Sequence, residues 1–181
     1  MMMGGGAGAE AQAKPALDTT TVHCLTPTLL DKTKCYCLNE NPNSAHENLF
    51  IGDDLLPLKS DADEQLLIHL VFNEFVRVRS LKFLGHRNGA DEETNPTLVK
   101  VFVNRVDMGF SDAADAIPAD EFELSEEDLT DGGGEGKKVS FVKYQRVQSL
   151  TIFIEENAGA DTTTLGGLKI FGMSVQVRQE H

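Results

Sequence analysis

Tryptophan and tyrosine are scarce in this 181-residue chain, which has no tryptophan and only two tyrosines, Tyr36 and Tyr144, beside ten phenylalanines. Sugar-binding and single-strand-binding surfaces stack their ligands on such side chains, so the composition disfavours both. Basic residues are also few, since 16 Lys and Arg stand against 29 Asp and Glu, a formal net charge of −13. This charge repels phosphate backbones and anionic lipid. We therefore expect no nucleic-acid partner and no membrane partner.

Long hydrophobic runs and targeting signals are missing as well. The longest apolar run, residues 66–72, is far shorter than the roughly 20 residues needed to span a bilayer. The first eight residues have neither the basic nor the apolar region of a secretory signal. Three cysteines crowded between positions 24 and 37 do not resemble the framework of a secreted disulfide-rich domain. These absences predict a soluble protein of a reducing compartment.

Short runs rich in Val, Ile, Leu and Phe, separated by Gly, Asn, Asp and Pro, follow Ser60. This texture is typical of an all-β sandwich. The predicted strands are Leu66–Phe72, Phe75–Leu84, Leu98–Asn104, Val139–Tyr144, Ser149–Glu155 and Leu168–Met173. The first strand is apolar at both parities, which predicts burial of both faces with His69 as a satisfied core or edge histidine. The second strand changes its apolar parity, which predicts a bulge near Arg79 and Ser80.

Helical signals are weak throughout the chain. Residues 111–116 and 125–129 are each predicted to form at most a single turn. The second turn begins with a capping-box-like spacing between Ser125 and Asp128. No window has the apolar period of a helix of three turns, so the fold class is all-β.

The length and an apolar fraction of 40% fit one domain with one core. Residues 1–21 are rich in Gly and Ala, so we assign them to a disordered tail. Residues 22–178 form the predicted domain, and residues 179–181 form a C-terminal tail. Within the domain, residues 22–54 are irregular but apolar enough to pack onto the core as an N-terminal arm. We expect a monomer.

Cys35 and Cys37, two thiols separated by one residue, are candidates for redox sensitivity or for binding a soft metal. A structural zinc site needs four ligands, and the chain has no second cysteine pair. We expect both thiols to be buried and unreactive, with thiol chemistry as the alternative. The histidines are scattered, and none lies in a local arrangement of nucleophile and base. The sequence therefore predicts no enzyme and no catalytic, cofactor-binding or metal-binding residues.

Two acidic segments are candidate contact surfaces. Residues 107–135 hold eleven acidic residues and no Lys or Arg. A solvated connection is the simpler interpretation of this segment, and a docking surface for a basic partner is the alternative. The turn Asp61–Glu64 fails as an EF-hand loop because Leu66 occupies the required glycine position, although another kind of calcium site stays open. The candidate interaction residues are Asp61, Asp63, Glu64, Glu126, Glu127 and Asp128.

Basic residues cluster on two stretches that are predicted to be strands or to flank them. They are Arg77, Arg79, Lys82 and Arg87 in the first stretch, and Lys137, Lys138, Lys143 and Arg146 in the second. If the two stretches adjoin, they form a basic patch on an otherwise acidic protein. This patch is a further candidate interaction surface.

Ordered motifs are spread over residues 22–177. They are Cys35–Glu40, Ser60–Ile68, Ser80–Phe83, Val99–Asn104, Met108–Phe110, Phe122–Asp128, Val142–Gln145, Ser149–Ile154, Gly159–Thr163 and Ile170–Gly172. Together they resemble the PITH domain, a proteasome-interacting domain that follows thioredoxin in a thioredoxin-like protein. No single motif would suffice for this identification, but their order along the chain does.

The resemblance implies a β-sandwich of jelly-roll, galactose-binding-like type without catalytic residues. It also implies association with the regulatory particle of the proteasome and a location in cytoplasm and nucleus. Because the sequence has no Trp-Cys-Gly-Pro-Cys motif, we expect a stand-alone member without a thioredoxin domain and do not transfer redox activity. The alternative function is a module that binds a small molecule or a glycan at one end of the sandwich.

Overall fold

The computed structural model describes residues 22–51, 56–86, 92–132 and 134–175. The predicted tails, residues 1–21 and 179–181, lie outside these ranges. The strands are β1 (His23–Cys24), β2 (Tyr36–Leu38), β3 (Leu58–Lys59), β4 (Leu66–Leu84), β5 (Pro96–Val103), β6 (Asp120–Glu123), β7 (Lys137–Lys138), β8 (Val147–Asn157), β9 (Thr164–Leu165) and β10 (Gly167–Ser174). The helices are α1 (Phe110–Asp115) and the 3-10 helices Lys32–Lys34, His46–Phe50, Glu92–Thr94, Glu127–Leu129 and Phe141–Tyr144. Of the helices in the described ranges, none is long and apolar enough to cross a membrane.

β4 is the central strand of the main antiparallel sheet. The order of that sheet is β1-β10-β4-β8-β5-β6, and β2 and β7 also pair with β4. The first half of β4 pairs with β2 and β8, whereas the second half pairs with β10 and β7. β3 and β9 form a separate two-stranded sheet. The long strand therefore connects most of the other strands directly.

The two halves of β4 contribute to one core. The register between β4 and β8 shifts between Val71 and Val76, which separates the halves. Ile68 from the first half and Leu81 from the second are fully buried in the same hydrophobic cluster, together with Ile152 of β8 and Ile170 of β10. The sheet thus packs across a shared core, and the predicted all-β sandwich is confirmed. The two strands predicted for residues 66–84 are one continuous strand.

A bulge interrupts the pairing between β4 and β10. Phe171 pairs with Ser80 and Gly172 pairs with Val78, so Arg79 is the extra residue on β4. The bulge predicted near Arg79 and Ser80 is confirmed, and it explains why the apolar parity changes there. A Cβ atom at Gly172 would lie 2.1 Å from the Arg77 carbonyl oxygen, so only glycine fits this close backbone contact.

The first half of β4 is buried on its outer face too. Leu67 packs there with Phe153 of β8, Phe102 of β5 and Ala113 of α1 in a second hydrophobic cluster. His69 lies on the same side as Leu67 because alternate residues of a strand share a face. Its Nδ1 atom is 3.1 Å from Thr151 Oγ1, and its ring stacks on Tyr36 at 4.9 Å. The expected two-sided burial and the satisfied histidine are confirmed.

The N-terminal arm adds two short strands to the sheet. Cys24 of β1 pairs with Phe171 of β10, and Tyr36 of β2 pairs with His69 of β4. Cys35 and Cys37 flank Tyr36, and both are buried. Burial raises the pKa of each thiol, so the thiol form is favoured over the thiolate at neutral pH.

The prediction of a strand over Val139–Tyr144 is wrong. Val139 still donates a backbone hydrogen bond to the Arg79 carbonyl oxygen at 3.1 Å, but the following residues leave the sheet. Ser140 donates to the Asp120 carboxylate from both its backbone N–H and its hydroxyl, at 2.9 and 2.7 Å. This tether to β6 turns the chain into the 3-10 helix Phe141–Tyr144. Local alternation cannot reveal it, because Asp120 lies 20 residues away.

Replacing Ile68 by alanine should lower the free energy of unfolding by about 2 to 5 kcal/mol, because the cavity lies in the shared core. Urea denaturation monitored by circular dichroism measures the change. The exposed Ile117 supplies the control, since Ile117→Ala should change stability by less than about 0.5 kcal/mol. A loss below about 1 kcal/mol for Ile68→Ala would contradict the assigned core.

Acidification should destabilise the protein through His69. Burial lowers the pKa of the imidazole, and nearby Asp107 opposes this shift only in part. The folded state therefore binds fewer protons, so stability is complete above the unfolded-state pKa of about 6.5 and falls as the pH drops below it. His69→Asn removes this titration. The wild type should lose more stability than the variant between about pH 7.5 and about pH 5 in urea denaturation; equal losses would show that His69 is protonated without cost.

Alkylation with iodoacetamide should distinguish the three cysteines. Cys24 is exposed, whereas Cys35 and Cys37 are buried. The native protein should acquire one adduct, on Cys24, and the urea-unfolded protein should acquire adducts on all three cysteines. Intact-mass and peptide mass spectrometry count and locate the adducts. Cys24→Ser should abolish native labelling, and rapid native labelling of Cys35 or Cys37 would support the redox alternative.

Candidate interaction surface

The acidic segment, residues 107–135, folds back onto basic residues of the same molecule. Its last third lies against the second half of β4, against β7 and against β10. The contacts are Lys82 Nζ to the Asp128 carbonyl oxygen (2.9 Å), Lys137 Nζ to Asp128 Oδ2 (3.2 Å), Lys169 Nζ to Asp131 Oδ1 (4.0 Å) and Arg79 Nε to Glu135 Oε1 (3.4 Å). Two members of the basic patch, Arg79 and Lys137, are therefore paired with carboxylates of the same protein.

Asp128 has a structural role within this segment. Its Oδ2 atom accepts hydrogen bonds from the Ser125 backbone N–H at 2.9 Å and from the Ser125 hydroxyl at 3.1 Å. Ser125 Oγ in turn accepts from the Asp128 N–H at 3.2 Å, so the predicted capping box is confirmed. The Ser125 N–H and Lys137 lower the pKa of the Asp128 carboxyl. Asp128 is thus engaged locally and is a weaker candidate for contacting a partner.

Glu126 and Glu127 are exposed, in contrast to Asp128. Glu126 lies against Glu92, and their shared hydrogen bond and like charge raise the pKa of the Glu92 carboxyl. These side chains keep a concentrated negative charge at the surface. They stay candidates for a contact with a basic partner.

The turn Asp61–Glu64 is held by Asn39, a residue that the sequence reasoning did not single out. Asn39 Nδ2 donates to Asp63 Oδ1 at 2.8 Å and to the Gln65 carbonyl oxygen at 2.7 Å. Asp63 Oδ1 also accepts from the Gln65 N–H at 3.0 Å. The carboxylate of Asp63 therefore stabilises the turn that leads into β4. Asp61 is the anion of this turn that is more available to a partner.

β7 pairs with β4 through Ser80 and Lys138, so the two basic stretches adjoin as the basic patch requires. Between them lies a groove of about 250 Å³ that we call the cationic groove. Its lining consists of Arg77, Arg79 and Lys138 with the apolar residues Val78, Val139, Phe141 and Met173. Of the other predicted members of the basic patch, Lys143 donates to the Ala119 carbonyl oxygen, and Arg146 lies over the Phe75 ring at 4.0 Å. Arg87 is outside the described residues.

Phe141 and Val142 form an exposed apolar pair beside the cationic groove. They are 72% and 81% exposed, although Tyr144, in the same 3-10 helix, is fully buried. The 3-10 helix that replaces the predicted strand produces this exposure, since it turns the chain away from the sheet. Sequence reasoning placed both residues in a strand and therefore missed them.

A second cleft, of about 260 Å³, lies between the N-terminal arm and the end of β4. Thr26, Leu49, Leu84, Asp131 and Lys169 contribute to its lining, and so does the exposed Cys24. Within the described ranges its lining contains no aromatic residue. A sugar ring placed there would have no aromatic face on which to stack.

Glu40, His46 and Glu47 bring three metal-ligating atoms within 4.8 Å of one another. Hydrogen bonds account for this arrangement. His46 Nδ1 lies 2.9 Å from Glu40 Oε1, which also accepts from the His46 backbone N–H at 2.8 Å. The cluster thus orders the start of the 3-10 helix His46–Phe50, and it offers one ligand fewer than structural zinc takes.

Comparison with solved structures identifies the fold. The CBM32-1 and CBM32-2 domains from Clostridium perfringens ZmpB, in complex with GalNAc, match 81% of this chain and 35% of theirs with a TM-score of 0.60 and 9% identity. The family 32 CBM from C. perfringens NanJ, in complex with galactose, matches 76% of this chain and 91% of its own with a TM-score of 0.56 and 10% identity. At such identities the likeness concerns the fold alone, and the galactose-binding-like jelly roll is confirmed.

Comparison with protein sequences gives the family. Thioredoxin-like protein 1 of Schizosaccharomyces pombe is 29% identical over 150 residues, which are 81% of this chain and 50% of the relative. A PITH domain-containing protein of Drosophila melanogaster is 31% identical over 144 residues, 76% of this chain and 64% of the relative. The chain thus spans between half and two thirds of the length of these relatives. The model of the PITH domain matches residues 18–181, and the chain accordingly belongs to the PITH domain family.

Proposed function

We propose that the chain is a protein-interaction module without catalytic activity that associates with the regulatory particle of the proteasome. Membership of the PITH domain family supports the association, because the motif resemblance implies it. The proposed location in cytoplasm and nucleus has the same support. A monomer that reaches its partner through surface side chains fits this role.

The observation that carries the proposal is the exposed apolar pair, Phe141 and Val142, beside the cationic groove. Large apolar side chains exposed together mark sites of interaction with other proteins. Aromatic residues and arginine are enriched where protein interfaces are buried. Phe141 and Arg77 line the same groove, so both types of contact are available to one partner.

The chemistry of the buried polar groups supports a role without catalysis. His69 and His46 are engaged by Thr151 and Glu40. The thiols of Cys35 and Cys37 have raised pKa values because they are buried, which disfavours the reactive thiolate. These residues stabilise the fold in the arrangement that the structure presents.

Binding of a small molecule or a glycan is the second candidate function. The likeness to CBM32 domains solved with GalNAc favours it at the level of the fold. The cleft beside Cys24 lacks an aromatic platform among its described lining, which weighs against sugar stacking. Thermal-shift measurements with galactose and GalNAc test this candidate, and a concentration-dependent rise in melting temperature would favour it.

Affinity purification of the tagged full chain from its own cell extract tests the proposed function. At low and at moderate salt, mass spectrometry should identify subunits of the proteasome regulatory particle among the bound proteins. The double variant Phe141→Ser/Val142→Ser should reduce their recovery by about tenfold or more, because it removes the exposed apolar pair. Ile51→Ser, an exposed residue of the arm, is the matched control and should leave recovery unchanged.

The same purification tests the acidic candidates. Charge reversal at Asp61 and Glu64, or at Glu126 and Glu127, should reduce recovery only if that segment contacts the partner. Unchanged binding removes the segment from the contact surface. If no regulatory-particle subunit is recovered at either salt although the protein is folded, the proposed function fails and the small-molecule candidate takes precedence.

A further inference from the structure

Arg77 is a cation for which the described part of the protein supplies no anion. Its Nε atom is buried and has no hydrogen-bond partner there. Two neighbouring cations differ from Arg77, because Arg79 pairs with Glu135 and Lys137 pairs with Asp128. Arg77 as a whole is half-buried and lines the cationic groove, so its charge is partly shielded from water and faces a site that an external anion can enter.

The shape and chemistry of the cationic groove restrict what that anion belongs to. Arg77 and Lys138 lie beside the apolar walls formed by Val78, Val139 and Met173, with Phe141 at the exposed side. Its volume of about 250 Å³ is below the about 300 to 1,000 Å³ typical of pockets for small molecules. Such a groove fits a single apolar side chain together with a charged group next to it.

Charge complementarity identifies the class of partner. An arginine side chain binds a carboxylate through two parallel hydrogen bonds, a geometry that an exposed lysine cannot provide. A segment with several carboxylates would be repelled by most of this protein, whose formal net charge is −13. The cationic groove is where such a segment meets cations instead, so the repulsion elsewhere would direct it to this site.

We propose that the cationic groove binds an acidic peptide segment of a partner protein, with a carboxylate on Arg77 and an adjacent large apolar side chain against Val139, Phe141 and Met173. This inference rests on the proposed function, since it assigns the partner chemistry of the same surface. It does not require that the segment belong to the proteasome.

Fluorescence anisotropy with labelled, blocked peptides tests the proposal directly. The probe is Glu-Glu-Phe-Glu-Glu, compared with Gln-Gln-Phe-Gln-Gln and with Glu-Glu-Ser-Glu-Glu. The first peptide should bind the full chain at least about tenfold more tightly than either of the others, because each of those lacks one of the two contacts. Equal affinity for the Glu and Gln peptides would overturn the proposal. Equal affinity for the Phe and Ser peptides would reduce the site to a simple anion site and would overturn it as well.

Matched variants locate the binding. Arg77→Gln should weaken binding of the acidic Phe peptide by about tenfold or more, whereas Lys169→Gln, the same charge change on a cation paired with Asp131, should not. Circular dichroism establishes that each variant is folded. Lys138→Glu alters an exposed residue of the groove and should also weaken binding of the acidic Phe peptide. This variant therefore tests the groove if Arg77→Gln does not fold. Unchanged peptide binding in the folded variants would overturn the assignment.

Two further results would contradict the proposal in specific ways. Sedimentation equilibrium that shows a wild-type dimer, lost in Arg77→Gln, would identify the occupant as the acidic segment of a second copy. Inorganic phosphate that displaces the Phe peptide and the Ser peptide equally would identify a phosphate site. Peptide binding without recovery of the regulatory particle would leave this inference intact and contradict the proposed function. Recovery of the regulatory particle without peptide binding would support the proposed function and overturn this inference.

Discussion

Pairing along both edges of β4 is the constraint on which the other elements depend. This 19-residue strand hydrogen-bonds to β2, β8, β10 and β7, so it has little free edge to pair with another chain. Its inner face fills the shared core. On the outer face of its first half, Leu67 joins a second cluster with Ala113 of α1, and His69 stacks on Tyr36. A strand that is buried on two faces and paired on two edges requires contributions from both ends of the sequence. The N-terminal arm is held on the sheet because its strands β1 and β2 extend this pairing around β4.

The charge distribution follows from the same arrangement. The acidic segment leaves β5 and returns over the second half of β4, where its carboxylates and a carbonyl oxygen meet Lys82, Lys137 and Arg79. The acidic segment thus engages part of the basic patch of its own chain. The small cationic groove around Arg77, with Phe141 at its side, remains accessible to a partner. An acidic protein can in this way present a cationic contact site.

Sequence patterns predicted the strands, the bulge and the capping box because each depends on residues close together in the chain. The alternation of apolar residues in β4 was sufficient to find the bulge at Arg79, and the spacing of Ser125 and Asp128 was sufficient to find the turn. The prediction for Val139–Tyr144 was wrong because Ser140 is bound by Asp120 of another strand. The candidate anion Asp63 is likewise engaged by Asn39, which lies 24 residues earlier.

By itself the sequence determined the fold class, the buried faces of the main strands and the local turns, since period-two alternation and capping act between near neighbours. It also determined that the two basic stretches exist. Only the tertiary structure decided that Glu135 reaches Arg79 while no described anion reaches Arg77, and that Phe141 is exposed. The physical reason is that charge pairing and exposure depend on distances in space between residues far apart in the chain, and these distances are set only when the two halves of β4 enclose the core.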